Sequence, residues 1–212
     1  MAEFVNKIPS MDELKIAIKE AVKNAVKELF KINENFYYLV LTTSGEAHPP
    51  TLSAGSSEGL ERTVKKYVEE YGYDPHEPDL ALSLKWSFAD TPYDCFGYEE
   101  YFRDKDIERL FYLRPSVDDC ISGKITQEEW DNEYDLRLKA MILALKELDE
   151  ENVFERKEKR KHLFLNVAPE YLNLREFAQI LNEGEALKEV IEDNALEDDG
   201  ENVEMKEKLL DF

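Results

Sequence analysis

Apolar residues at Leu14, Ile18, Ala21, Val22, Ala25 and Leu29 recur with the spacing of one helical face, and Ser10 with Glu13 supplies a capping box. The pattern predicts an amphipathic helix over 11–31. It then changes character, because Phe36 to Thr43 (FYYLVLTT) is a β-rich run closed by Ser-Gly, and Thr51 to Ala54, after Pro49-Pro50, reads as its short antiparallel partner. Ser56 or Ser57 caps a helix of about 15 residues that ends near Tyr71-Gly72, and Pro75, Pro78 and Asp79 form the next loop. Over 80–88 (LALSLKWSF), Leu80, Leu82, Leu84, Trp86 and Phe88 alternate with other residues, the clearest period of two in the chain. That alternation predicts a half-buried strand.

The stretch Asp90 to Gly97 must turn, and Tyr98 to Leu113 reads as a helix stopped by Arg114-Pro115. Thr126 with Glu129 makes a second capping box, after which Trp130, Tyr134, Leu138, Met141, Leu145 and Leu148 trace one face of a long helix reaching about residue 150. A basic patch, RKEKRK, precedes a short strand over His162 to Val167. Asn173 with Glu176 then opens a helix that uses Leu174, Phe177, Ala178 and Leu181 and is interrupted around Asn182 and Gly184. The order implies a single α+β domain over 1–182, with a small, mostly antiparallel sheet of about four strands and about five to six helices. An acidic C-terminal helix or tail follows over 183–212.

A hydrophobic fraction of 42% with 11 Phe, 11 Tyr and 2 Trp is ample for a packed interior even though 35% of residues are charged. Charge adds a second layer: the net formal charge is -21, and it is concentrated. Residues 98–135 hold twelve acids against five bases, and 183–212 hold twelve against three, whereas 1–40 balance with six of each. Such a field repels nucleic acid and anionic membrane and steers cationic partners. No basic start with an apolar core opens the chain, and no stretch approaches the roughly 20 apolar residues that cross a bilayer, so a cytoplasmic protein is expected. Cys95 and Cys120 form no CxxC, which points to reduced thiols and no zinc site.

Candidate chemistry is sparse. Asp90 and Asp94 share one loop, Asp118 and Asp119 another, and Glu128, Glu129, Asp131, Glu133 and Asp135 crowd the start of the long helix, without the oxygen spacing of a calcium loop. Acids in a first helical turn follow from the macrodipole alone. Gly55-Ser56-Ser57-Glu58-Gly59 has the form of a nucleophile elbow centred on Ser57 and opens a helix, yet it lacks a P-loop Lys and any hydrolase context. His48, His76 and His162 lack metal-ligand spacing, so neither metal nor cofactor is expected. Tyr93, Phe96, Tyr98, Tyr101 and Phe102 are interleaved with acids. They either fold onto the sheet edge, the favoured reading, or stand as anchors within an acidic rim.

The string Trp86-Ser87-Phe88-Ala89-Asp90-Thr91-Pro92-Tyr93, preceded by FYYLVLTTSG and TLSAGSSEGL, resembles an uncharacterised bacterial family with a W-S-x-A-D-x-P-like motif, over roughly residues 11–180. Such proteins look like immunity-type proteins that neutralise a toxin by binding it. The resemblance implies a protein-binding module whose partner is basic, such as a nuclease-like toxin domain, since a nuclease must be cationic to hold phosphates. The expected contacts are Asp90, Tyr93, Asp94, Tyr98, Asp118, Asp119, Glu128, Glu129, Asp131 and Glu133. An enzyme of hydrolase type at Ser57 or the carboxylate loops, and a charge serving solubility alone, are the alternatives.

Overall fold

The structure, a computed structural model, describes residues 7–76, 79–103, 105–154, 160–169 and 175–193. Ser10 opens helix α1 (Met11–Leu29) with the expected capping box, and the anticipated apolar stripe from Leu14 to Leu29 is buried. Strand β1 (Phe36–Thr43) lies at the centre of the sheet. Strand β2 (Thr51–Ser56) pairs with it antiparallel, two residues longer than its apolar run suggests, and strand β3 (Phe164–Pro169) pairs on the other side in parallel. The order β2-β1-β3 makes the sheet three-stranded and mixed, not four-stranded and mostly antiparallel.

The missing strand is residues 80–88. Leu80–Lys85 forms helix α3, with Leu80 and Leu84 buried and Leu82 exposed, and the Ser83 N–H donates to the Asp79 carbonyl. An alternating run also contains residues four apart, which is the spacing of a helical face. Trp86 and Phe88 follow the helix and drop onto the sheet, where Trp86 stacks on Tyr38 at 6.1 Å and Phe88 meets Tyr38 edge-on at 5.3 Å.

Successive β1 residues serve two cores. Leu39 and Leu41, with Leu52, Leu165 and Val167, pack toward α1 and the long helix α6 (Gln127–Glu150). Tyr38 and Val40, with Phe164 and Ala168, face Phe88, Ala186 and Val190. Burial on both faces is why these strands read as near-continuous apolar runs. Lys15, Lys19 and Lys23 of α1 meet Glu147 of α6 and Glu151, which caps its C-terminus, in ascending order, at 2.6 to 3.4 Å.

Helix α2 (Ser57–Tyr71) is capped by Ser56 and ends at Gly72 in the left-handed region. The helix expected over 98–113 is divided: a π-helical turn, Tyr98–Phe102, precedes α4 (Lys105–Tyr112), which stops before Arg114-Pro115. A short helix, α5 (Val117–Ile121), occupies a stretch that the sequence presents as a loop, and Ser116 and Asp119 form its capping box. Helices α7 (Arg175–Leu181) and α8 (Glu185–Glu192) flank the expected break at Gly184. That gives eight α-helices among the described residues, more than anticipated. Asn173, Leu174, Pro78 and the acidic stretch 194–212 lie outside the described residues.

Two irregular contacts complete the sheet. The Ala54 N–H donates to the Tyr93 carbonyl at 3.3 Å and the Phe96 N–H to the Leu52 carbonyl at 2.7 Å, laying 93–96 along β2. On β3, the buried Asn182 amide accepts from the Leu165 N–H at 2.8 Å and donates to the Leu165 carbonyl at 2.6 Å. No helix among the described residues is long and apolar enough to cross a membrane.

Candidate functional site

The loop after Trp86 is a clasp. Asp90 accepts from the Tyr67 hydroxyl and from the Ser87 hydroxyl, each at 2.5 Å, and the Asp90 carbonyl accepts from Thr63. The bond to Asp90 pushes the Tyr67 phenol up to about 12. Asp94 accepts from Ser53 at 2.7 Å, and Thr91 donates to the Ala54 carbonyl. Tyr93 is buried against Phe36, its hydroxyl accepting from Arg62 at 3.0 Å, and Tyr98 is half-buried against the core. The aromatics from Tyr93 to Phe102 therefore fold onto the sheet and α1, while Asp90 binds the loop to α2 and Asp94 binds it to β2. The W-S-x-A-D-x-P string has a structural reason for each polar position.

The elbow-like segment is explained by packing as well. A Cβ on Gly55 would sit 2.2 Å from the Tyr38 ring, its cross-strand neighbour, and one on Gly59 would sit 2.7 Å from Ser56 Oγ. Both glycines are there for close approach. Ser57 is exposed, and no histidine bonds to it among the described residues; Glu58 accepts from the Asn35 backbone and side chain. The serine with a histidine partner is Ser44, 2.8 Å from His48 Nδ1, while Glu46 lies 3.2 Å from His48 Nε2. Ser44 Oγ also accepts from the backbone N–H groups of Glu46 and His48, so this trio is a side-chain-locked turn whose N–H groups point at the hydroxyl rather than at a site for an oxyanion. Cys95 and Cys120 are free thiols, and burial pushes the Cys95 thiol up, away from the reactive thiolate. Among the described residues no group of three His, Cys, Asp or Glu is placed to hold a metal ion.

What remains open is the corner where α4, α5 and α6 meet. Asp118 and Glu128 are exposed and enter no ion pair among the described residues. Asp119 and Glu129 are N3 members of capping boxes, and the bond from Lys124 holds the Asp119 carboxyl down at about 2. Asp131 accepts from Gln127 at 2.8 Å. Glu133 is different: only 5% exposed, it is gripped by Arg114 through two bonds of 2.7 Å and by Arg137 Nε at 2.9 Å. Its charge belongs to the interior.

The same corner carries two side chains that sequence reading missed as anchors. Tyr112 at the end of α4 is 72% exposed and Ile121 on α5 is 78% exposed, the most exposed large hydrophobic side chains among the described residues. The available signal was that both lie where a helical pattern stops, at Arg114-Pro115 and at Ser122-Gly123. Tyr112 also lines a cavity of about 270 Å³, together with Glu46, His48, Phe111, Asp118 and Arg137.

A family model described as a domain of unknown function (DUF4303) matches residues 18–183. Neither the curated proteins nor the solved structures contain a match to the chain.

Proposed function

The chain belongs to the DUF4303 family, whose function is unknown, and from that premise we propose that it is a protein-binding module which engages a basic partner through the α4–α5–α6 corner. The observation that carries this reading is that Tyr112 and Ile121 stand exposed in the same corner as Asp118, Glu128 and Asp131. A partly apolar centre with a charged rim is the make-up of a recognition surface, and aromatic anchors supply much of the binding energy in such surfaces. The acids from 98 to 135 supply the long-range field that speeds encounter with a cationic surface and disfavours nucleic acid and anionic membrane. A toxin domain that must itself be basic to grip phosphates fits this chemistry, and occupying its basic surface would silence it. Of the expected contacts, the reading keeps Asp118, Glu128 and Asp131 in the charged rim and leaves Glu133 to the interior.

The test is to mix the purified protein with basic toxin domains, nuclease domains first, and measure affinity by calorimetry; no binding to any of them overturns the reading. Tyr112→Ala is expected to weaken binding by more than about tenfold, the signature of a hot spot, and Asp118→Lys with Glu128→Lys to slow association. Binding that ignores all three substitutions overturns the assignment of the corner.

A further inference from the structure

The interior beside the corner holds an excess of positive charge. Arg114 and Arg137 are 7% and 3% exposed, and between them they share the single carboxylate of Glu133. Backbone carbonyls absorb part of the surplus: Pro9 accepts from Arg114, and Pro115 accepts from Arg137 Nη2 at 2.7 Å. The Arg137 guanidinium also lies 5.5 Å from the centres of both the Phe111 and the Trp130 rings. Its remaining nitrogen, Nη1, is poorly served, reaching the carbonyls of Glu46 and Ala47 only at 3.4 and 3.5 Å, the outer limit of a hydrogen bond. That same side chain lines the cavity of about 270 Å³, which Tyr112, Arg114 and three acids also border: Glu46 lies against His48, Asp119 is paired with Lys124, and Asp118 has no ion pair among the described residues.

A buried guanidinium facing a cavity favours an anionic group there, and a carboxylate matches its fork. A free anion must nevertheless enter against a net charge of -21, and Asp118, exposed and in no ion pair among the described residues, lines the cavity. A ligand that carries both signs meets both conditions, because its net charge is zero while each end finds its complement. At ~30 Å³ per water-sized group the cavity holds about nine of them, the size of an amino acid. We propose that this cavity binds a zwitterion of amino-acid size, its carboxylate toward Arg137 and its ammonium toward Asp118. The inference rests on the cavity alone and stands whether or not the corner binds a protein.

Thermal unfolding and calorimetry of the full chain against glycine, glutamine, leucine, glutamate and arginine, with acetate, butylammonium and inorganic phosphate as controls that carry charge of one sign only, test it. At least one amino acid is expected to raise Tm saturably, with the controls leaving Tm unchanged. Asp118→Asn, an exposed substitution that leaves the fold intact, is expected to weaken that ligand by about tenfold. Arg137→Lys keeps the buried charge but loses the fork, and is expected to weaken it further; circular dichroism reports whether that variant folds, and Asp118→Asn carries the test if it does not. No response to any amino acid, a response to phosphate or acetate equal to the best amino acid, or unchanged affinity in Asp118→Asn overturns the proposal.

Discussion

Gly55 and Ser57 stand two residues apart and illustrate how differently a motif can be read. In sequence they make the outline of a catalytic elbow, whereas in the fold the glycine exists so that the Tyr38 ring can lie across it. Gly55→Ala is expected to destabilise the protein by about 1–3 kcal/mol through overpacking against a fully buried ring, and Ser57→Ala to change stability by less than about 0.5 kcal/mol. Urea unfolding of both variants measures this, and a loss of stability confined to Ser57→Ala would contradict it. Glu34 offers a pH counterpart. The bond from Arg62, with further donation from Ser56, holds its carboxyl down to about 2 against an ordinary 4.5. Because the folded value lies below the unfolded one, its contribution is complete above about pH 4.5 and drains away as pH falls toward about 2. Glu34→Gln is expected to flatten the stability profile across that window, as read by denaturant titrations at successive pH values. None of this was legible in the sequence, since Arg62 and Glu34 are brought together only when α2 docks against the connection between α1 and β1.

At the scale of elements, legibility followed locality. Helices α1 and α6 were readable because their caps and apolar stripes are written within a few residues, as in Ser10 with Glu13 and Thr126 with Glu129, and α2 because a serine cap opens it and Gly72 ends it. The parallel pairing of β1 with β3 was not, because it joins residues such as Val40 and Asn166 that are remote in the chain and leaves no local mark. Helix α3 shows how a local signal misleads: every second residue apolar also means every fourth, and the competing period won. The two readings separate by experiment. A strand would bury Leu82 with its neighbours, whereas the helix exposes it, so Leu82→Ser is expected to cost less than about 0.5 kcal/mol and Leu84→Ala about 2–4 kcal/mol. Equal large costs at both positions would restore the strand. The acidic residues of α5 and α6 were visible in advance as a group, but which of them is spent on caps, which is buried with Arg114 and which stays free depends on the packed structure.

For the whole molecule, the -21 charge divides by what the fold does with it. Glu147 and Glu151 are matched by the lysines of α1, and Asp193 and Glu189 bind Lys85 at 2.5 and 2.9 Å, so acids near the start of the C-terminal block already serve to seat α8. The unpaired charge at the α4–α5–α6 corner is what a partner would sense. Raising ionic strength from about 50 to about 500 mM is expected to slow association with a basic partner by more than about tenfold while leaving dissociation nearly constant; stopped-flow kinetics measure both, and a salt-independent on-rate would remove electrostatic steering from the account. The sheet also limits how a partner can attach. With residues 93–96 laid along β2 and the Asn182 amide seated on β3, backbone groups on both flanks of the sheet are already engaged. A strand from another chain would have to displace one of them to pair there. Any partner would therefore meet side chains displayed on helices and loops before it met a bare strand edge, and those side chains can change residue by residue while the scaffold beneath them keeps its shape.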